Sequence, residues 1–565
     1  MNKKILFPGI LVLVFVWFGF HAAGENTEVL DEGAAFFSPQ ICTSLLAGKS
    51  ATDDGSVICT QSADCGSCDI RLEYVPSAKH EPGSKRVVKG WNVYDLLGTK
   101  GSPPVRSGPC FEIPQVPQTY AYTAATFPFM NERQVAIGEA TLVGIHSELA
   151  PSGNSDARIR ITDLSRIALE RAVTAREAIK IMAGLMEEHG FNAWTPDWMN
   201  LAPGGHDACG EYFAVADKDE VWCFEFLPVG PDWKKNSGEP GVCWCAMRIP
   251  DDMFAVNANE SIIGEIDLDD KDNFMASSNV KSLAAEHGWW DPESGEPFRW
   301  DLAYTGNRAK SLRTWRALSM AAPSQNLKPN ADGYPNPIKP DKKLSVLDIR
   351  RIHGDRFAGT EFDQTEGLAA GPFGCPNWPH GAPGQSRALA TMSSDTIVIN
   401  QCRDWLPDPI GGVMWVGLGG GDINVYVPFY AGVTRLPGPY ASGVRTRFDW
   451  DSAFWVYELV GSWAQLNYTH MIKELRAEQN RIESAELERQ AGVDEEAWKM
   501  YQENPSMARE YLTDYCIENA NQALESWKRL AVSLISRYSF GTASALEYYI
   551  APGWWKKAVK GKKEK

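Results

Sequence analysis

The chain has 565 residues, 44% of them apolar and 11% aromatic. A single hydrophobic core usually stops growing at about 250–300 residues, so we expect one large core or two, with an appended subdomain. The 55 Lys and Arg against 72 Asp and Glu give a net charge of −17, which argues against nucleic acid as a partner because phosphates require a basic surface.

Residues 1–24 have the pattern of a secretory signal peptide. Lys3 and Lys4 precede an apolar run over residues 5–20, and small residues follow at 22–24. The run falls short of the ~20 apolar residues that span a bilayer comfortably. We therefore expect export to the periplasm or the extracellular space, with no stable membrane insertion after processing; an uncleaved anchor is the alternative. Residues 25–41 read as a polar spacer or propeptide.

Strand patterns dominate the chain after Cys42, and helical patterns dominate its end. Residues 42–48 and 57–60 predict a hairpin, and a capping box at residues 174–177 begins a helix that ends at Gly190. The other predicted strands are residues 120–123, 134–141, 212–216, 221–226, 242–248, 396–402, 413–416 and 424–428. Strands in runs followed by helices indicate an α+β fold.

The remaining segments carry weaker patterns. Residues 321–383 are rich in Pro and Gly and predict loops. After residue 449 the chain is predicted to be helical, and residues 541–565 form a lysine-rich tail. We interpret that tail first as a solvated segment and less favourably as a contact with a membrane surface.

The twelve cysteines all lie from Cys42 onward. In an exported protein most cysteines form disulfides or are buried, and we expect this of Cys65-x-x-Cys68 and Cys243-x-Cys245. A zinc site is less favoured because tetrahedral coordination needs two suitable pairs, and the tryptophan inside the second pair makes it a poor half-site. We predict neither a metal nor a cofactor.

Cys42 is the candidate nucleophile. The sequence has no H-E-x-x-H and no G-x-S-x-G, so the usual sources of a catalytic base are thin. A nucleophile at a mature N-terminus can use its own α-amine, whose ordinary pKa of about 7.7–8.0 suits a general base. Cys42 heads a predicted strand directly after the spacer, so this chemistry is open to it; a buried structural cysteine is the alternative.

Short motifs in a fixed order carry a resemblance to a known family. They occupy residues 42–49, 54–56, 130–139, 167–172, 174–178, 248–251, 258–259, 313–316, 359–363, 371–374 and 426–430. Together they resemble the cysteine dipeptidase family of N-terminal-nucleophile hydrolases, relatives of penicillin V acylase and bile salt hydrolase. The resemblance extends from Cys42 to about residue 538.

The resemblance implies a fold and a division of the chain. The fold is a four-layer αββα sandwich, in which residues 42–448 form the catalytic domain and residues 449–540 a helical region integral to it. It implies that Cys42 attacks the carbonyl and that Asp64 orients the freed amine. Asn131 and Asn259 match positions whose side chains or neighbouring amides hold the substrate and the oxyanion.

Each implied role has a structural alternative. Asp64 could cap a turn, Asn131 could be a turn residue, and Asn257 could take the place of Asn259. Glu139 could contact a substrate amine or face solvent. One departure stands out: relatives often carry an Arg shortly before this Asp, and residues 60–63 contain none.

The leading functional hypothesis is an exported dipeptidase that hydrolyses small peptides. The alternatives are a hydrolase of N-acyl amides and an exported binding protein that keeps the fold without activity, which the missing Arg makes plausible. The oligomeric state is left open, a homo-oligomer included.

Overall fold

The computed structural model describes residues 42–65, 68–88, 111–152, 154–193, 210–306, 310–377, 387–445, 447–538 and 552–560. The predicted signal peptide and spacer, and most of the lysine-rich tail, lie outside these ranges. None of the helices formed by the described residues is both long enough and apolar enough to cross a membrane.

Six antiparallel strands form the sheet that carries Cys42. Strands are numbered in chain order. The spatial order in this sheet is β14 (Phe254–Asn257), β1 (Ser44–Ala47), β2 (Val57–Ala63), β16 (Thr396–Cys402), β17 (Val413–Leu418) and β18 (Val427–Tyr430). Neighbours are antiparallel, with Ser44 opposite Asn257 and Leu46 opposite Cys59. The predicted hairpin is therefore present, in the middle of a sheet.

A second, larger antiparallel sheet lies beside the first. Its spatial order is β15 (Phe274–Ala276), β13 (Cys243–Ile249), β12 (Val221–Leu227), β11 (Gly210–Ala216), β10 (Ala136–Leu142), β9 (Pro128–Asn131), β8 (Tyr122–Ala124) and β3 (Glu73–Val75). Two small pairs complete the strands of the described residues: β4 (Ala78–Lys79) with β7 (Gln118–Thr119), and β5 (Lys85–Val88) with β6 (Phe111–Pro114).

The two large sheets pack against each other where β2 contacts β10 and β11. Gly138 of β10 sits at the closest point, because a Cβ there would collide with the carbonyl oxygen of Thr60 in β2. A glycine permits this approach of one backbone to another. The contact brings β10 beside the beginning of β1, where Cys42 lies.

Two helices cover the larger sheet. They are α1 (Ile161–Arg171) and α2 (Ala175–His189), which contact β9 and β11–β12 respectively. The predicted cap of α2 is present, since Thr174 accepts a hydrogen bond from the backbone N–H of Glu177, and Gly190 ends the helix with φ 70°. The buried face of α2 includes Ala178 and Met182, as the apolar spacing predicts.

The remaining helices lie in the second half of the chain. They are α3 (Ser282–Glu286), α4 (Trp300–Thr305), α5 (Leu312–Ala321), α6 (Val346–His353), α7 (Asp408–Gly411), α8 (Ala453–Ala464), α9 (Tyr468–Glu503), α10 (Pro505–Arg537) and α11 (Pro552–Lys560), with short 3-10 turns at Ser147–Leu149, Pro323–Gln325, Gly438–Ala441 and Gln465–Asn467. Helices α5, α6, α8 and α10 contact strands of the sheet that carries Cys42.

The α+β class and the helical C-terminal region are confirmed. Two local predictions are wrong. The region predicted as loops contains helix α6, which begins at a capping box between Ser345 and Asp348 that the high Pro and Gly content obscured. The strand predicted at residues 424–428 instead runs over Val427–Tyr430, because Asn424 uses its side chain to bond the carbonyl of Gly419 in the preceding turn.

Candidate active site

Cys42 lies immediately before β1, and 6% of the residue is exposed. Its thiol is 3.4 Å from the Oε2 atom of Glu139. The guanidinium of Arg313, at the beginning of α5, donates from Nη1 to the carbonyl oxygen of Cys42 and to Thr43 Oγ1, each at 2.9 Å. The backbone of Cys42 is therefore fixed from a distant helix.

Asp64 follows β2 directly, and the pairing of β1 with β2 brings it to Cys42. Ser62 N–H donates to the carbonyl of Thr43 at 2.9 Å, and Thr43 N–H donates to Ser62 Oγ at 2.9 Å. The backbone N–H of Asp64 is directed at the Cys42 sulfur. The structure therefore brings these two predicted site residues together.

The carboxylate of Asp64 is fully buried and has three partners. Ser62 Oγ donates to it at 2.9 Å, and Ser394 Oγ and the guanidinium of Arg387 also donate to it. All three are side chains, and two of them come from residues 387–394, far along the chain, rather than from the amides of a turn. The contacts differ from those of a turn cap, the structural alternative for Asp64.

Two arginines approach the site from distant positions. Residues 60–63 lack the Arg that the resemblance leads one to expect, and Gln61 stands there. Burial, followed by the charge of Arg387, lowers the pKa of Arg313 to about 9. Positive charge thus reaches the site from α5 and from residue 387, without an arginine on β2.

Asn259 belongs to the same cluster as Cys42. Its Oδ1 accepts from Arg313 Nη2 at 2.8 Å, and its Nδ2 donates to the carbonyl of Thr141 at 2.7 Å. Asn257 holds the turn instead, accepting from Asn259 N–H at 2.8 Å and donating to the carbonyl of Glu260 at 2.8 Å. Asn259 has φ 69°, a left-handed conformation that asparagine tolerates better than most residues.

The structure gives Asn131 a different place. Its Nδ2 donates to the carbonyls of Leu169 and Ala172 at the end of α1, both at 2.9 Å. Its Oδ1 accepts from the backbone N–H groups of Arg133 and Val135, both at 3.0 Å. All hydrogen-bonding positions of the amide are used within the fold. The backbone N–H groups of Asn131, Glu132 and Gln134 also donate within the fold, so neither this side chain nor these amides are left to contact a substrate.

Glu139 is buried, with 2% of the residue exposed, so it does not face solvent. Gln61 Nε2 donates to Glu139 Oε2 at 3.1 Å, the same oxygen that faces the Cys42 thiol. Its carboxyl also shares a hydrogen bond with that of Glu211 on β11. Burial raises the pKa of Glu139 to about 7, and burial together with the charge of Glu139 raises the pKa of Glu211 well above its ordinary value.

The thiol of Cys42 holds its proton firmly in this environment. Burial raises its pKa well above the ordinary value, and the negative charges of Glu139 and Asp64 raise it further. A nucleophilic thiol has to lose this proton during attack, so a base within reach is a chemical requirement of the site. Glu139 is one group that meets this requirement by distance.

Cys65 and Cys68 form a disulfide directly after Asp64, one of the two outcomes expected for this pair. Cys68 N–H donates to Asp395 Oδ2 at 2.8 Å, which anchors the loop. These three residues are, within the described ranges, the group close enough together to hold a metal ion, but the disulfide engages both sulfurs. Cys243 and Cys245 are buried thiols on β13.

A comparison with protein families decides the classification. The model of Peptidase family C69 matches residues 41–481, most of the chain and all of the site described above. The chain belongs to peptidase family C69. It is therefore an enzyme of a cysteine peptidase family, and the resemblance seen in the sequence is confirmed.

Relatives of this C69 peptidase have been named as dipeptidases. A probable dipeptidase B of Streptococcus pyogenes serotype M1 is 22% identical over 513 residues, which cover 87% of this chain and 92% of the relative. A probable dipeptidase of Latilactobacillus sakei is 23% identical over 438 residues, 76% of this chain and 81% of the relative. A probable dipeptidase of Salmonella dublin is 24% identical over 422 residues, 70% and 82% respectively.

Several residues of the C69 site escaped sequence reasoning. Arg313 lies in one of the motifs that carry the resemblance, yet a single arginine at a helix start does not indicate which carbonyl it contacts. Glu211 and Arg387 carried no signal at all. Glu139 was considered from the sequence only as a contact for a substrate amine or as a solvent-facing residue. The clue to its buried position was that it is a charged residue among apolar strand residues, where a carboxylate needs a buried partner.

Proposed function

We propose that this C69 peptidase is an exported dipeptidase in which Cys42, freed as the first residue of the mature chain, is the nucleophile. The observation that carries the proposal is the environment of the Cys42 thiol, which has a carboxylate 3.4 Å away and its backbone fixed by Arg313. The start of the family match at residue 41 supports it, because the preceding spacer then lies outside the catalytic chain.

The proposed reaction uses a thioester. The thiol of Cys42 gives its proton to the free α-amine and attacks the peptide carbonyl, and Asp64 orients that amine. In this proposal Asn259, whose Oδ1 accepts from Arg313, supports the oxyanion. The amine returns the proton to the leaving group, and water then hydrolyses the thioester and restores the thiol.

The fold proposal follows the same resemblance. We infer a four-layer αββα sandwich of the N-terminal-nucleophile type, with residues 449–540 integral to it. The contact of β2 with β10 and β11 supports two sheets packed face to face. Helices α1 and α2 contact the larger sheet, and helices α8, α9 and α10 contact the sheet that carries Cys42. One large hydrophobic cluster also includes buried residues that range from Cys42 to Tyr538 along the chain.

The substrate class comes from the relatives named as dipeptidases, and export comes from the signal-like pattern of residues 1–24. The test is intact-mass and N-terminal analysis of secreted protein, followed by assays with dipeptides and N-acyl amino acids side by side. We expect a mature chain beginning at Cys42 that cleaves dipeptides. Turnover of acyl amides alone would replace the dipeptidase with an acylase, and an active chain that retains residues 40–41 would overturn the mechanism.

The matched variants are Cys42→Ala and Cys59→Ala, since both residues are buried thiols. Cys42→Ala removes turnover, whereas Cys59→Ala retains it. A small alkylating reagent inactivates the wild-type enzyme irreversibly, with the label at Cys42 in a peptide map. Inactivation with the label on Cys59 alone would remove Cys42 from the mechanism.

A further inference from the structure

We propose that Glu139 is the base that allows Cys42 to release itself from the preceding propeptide. This inference rests on the proposed function, because it assumes that the mature chain begins at Cys42. Before that cleavage the nitrogen of Cys42 is part of a peptide bond with Ile41 and cannot accept a proton. A thiol that attacks in the precursor therefore needs a base other than its own α-amine.

Geometry selects Glu139 for this step. Its Oε2 atom lies 3.4 Å from the Cys42 sulfur, within the range of a hydrogen bond that involves sulfur. The close approach at Gly138 holds this part of β10 against β2, and the amide of Gln61 fixes the reacting oxygen at 3.1 Å. The carboxylate is thus held in place by a neutral donor, which leaves its basicity available.

Asp64 is less suited to the same task. Its carboxylate accepts from Ser62, from Ser394 and from the guanidinium of Arg387, a fully buried ion pair. Both oxygens of that carboxylate are already hydrogen-bonded, whereas Glu139 Oε2 is the oxygen placed against the Cys42 sulfur. The two carboxylates near the thiol therefore have different roles. Asp64 orients the freed α-amine of the mature chain, and Glu139 accepts the thiol proton in the precursor.

The charged surroundings of Glu139 favour proton uptake near neutral pH. The groups that face it are Cys42 from the start of β1, Gln61 and Asp64 from β2 and its end, and Glu211 from β11. Burial raises the pKa of Glu139 to about 7, where a general base is most effective. Burial and the charge of Glu139 raise the pKa of Glu211 well above its ordinary value, and the two carboxyls share a hydrogen bond.

The step balances with water as the co-reactant. Glu139 takes the thiol proton while the sulfur attacks the carbonyl carbon between Ile41 and Cys42. The C–N bond breaks, protonated Glu139 returns the proton to the leaving nitrogen, and a thioester and a free α-amine result. Water then hydrolyses the thioester, which releases a propeptide ending in a carboxylate and restores the thiol.

The test separates processing from turnover in one variant. Glu139→Gln in the full-length chain keeps the size of the side chain and its bonds to Gln61 and Glu211 but cannot accept the proton. We expect processing, followed by intact mass over time, to slow about 10²–10⁴-fold. The same variant is then prepared with an upstream site for a sequence-specific protease that exposes Cys42, and its dipeptide turnover should fall by far less than its processing.

The control is Glu458→Gln. Glu458 is a half-buried glutamate on α8 whose Oε1 atom is buried, and burial raises the pKa of this group to about 7 as well. The Glu458→Gln precursor should be processed at the wild-type rate. That result would show that loss of a buried titrating carboxyl does not by itself slow the cleavage before Cys42. The wild-type processing rate should also rise as pH increases through about 7, and that rise should be absent from Glu139→Gln.

Three outcomes are informative. Processing of Glu139→Gln at the wild-type rate overturns the inference, and so does an equal fall in processing and in turnover after external cleavage. A wild-type chain that is active without any cleavage before Cys42 overturns the proposed function itself. A melting temperature for each variant confirms that the compared proteins are folded.

Discussion

Arg313 donates to the carbonyl oxygen of Cys42 at 2.9 Å while its other terminal nitrogen donates to the side chain of Asn259 at 2.8 Å. One planar side chain therefore fixes the proposed nucleophile relative to the residue proposed to support the oxyanion. A lysine cannot make this pair of bonds, because it lacks the flat fork of donors.

We predict that Arg313→Lys lowers kcat/KM about 10²-fold, since a misplacement of about 1 Å in an active site costs that much. Arg316→Lys is the matched control, because Arg316 lies on the same helix and pairs with Asp355 instead. Kinetics on dipeptides with melting temperatures would check both variants. An equal loss of activity in both would show that α5 acts through stability alone.

Asp64→Asn tests the orientation of the α-amine. The substitution keeps the bond from Ser62 but removes the negative charge that pairs with Arg387 and that, in the proposed mechanism, orients the freed amine. We expect turnover to fall about 10²–10⁴-fold with the fold retained. Asp69→Asn, which removes an exposed ion pair with Arg71, should leave turnover near the wild-type value. Wild-type rates in correctly processed Asp64→Asn would remove Asp64 from the mechanism.

Substitution by alanine should affect stability at Asn131 and catalysis at Asn259. Asn131→Ala leaves two buried carbonyls of α1 without donors and should lower the free energy of unfolding by about 2–4 kcal/mol. Asn259→Ala should lower kcat by about 10²-fold. Urea unfolding and kcat on the folded protein distinguish the two losses. A fall in kcat of about 10²-fold for Asn131→Ala with unchanged stability would show that Asn131 acts in catalysis rather than in the fold alone.

His353 should make the fold sensitive to acid. It is buried at the end of α6, where Nε2 lies 2.8 Å from Thr60 Oγ1, and burial lowers its pKa to about 3. The unfolded chain takes up a proton below about pH 6.5 and the folded chain does not. This residue therefore removes stability between about pH 6.5 and 3, by about 1.4 kcal/mol per pH unit.

The measurement is the free energy of unfolding against pH for the wild type and His353→Gln, which can still hydrogen-bond to Thr60. The wild type should lose more stability than the variant as pH falls from 6.5 to 4. Parallel curves would show that His353 does not titrate on unfolding in this range.

Local patterns were sufficient for many of the elements and pointed to the candidate nucleophile. The hairpin of β1 and β2 and the capped helix α2 follow from periodicity and from turn and cap residues, all of which act over a few positions. Cys42 was proposed because it heads a predicted strand after a spacer, whereas Asp64 was proposed from the family resemblance. Strand pairing over so short a loop leaves little freedom in where the two residues meet.

Tertiary structure decided the rest of the site. Glu139 meets Cys42, and Arg313 joins Cys42 to Asn259, across long stretches of sequence, and neither contact leaves a periodic signal. Asn131 shows the converse, because its motif matched while its amide is used to hold the end of α1. Sequence patterns report short-range preferences, whereas the partner of a buried charge depends on which distant backbones the packing of two sheets brings within hydrogen-bonding distance.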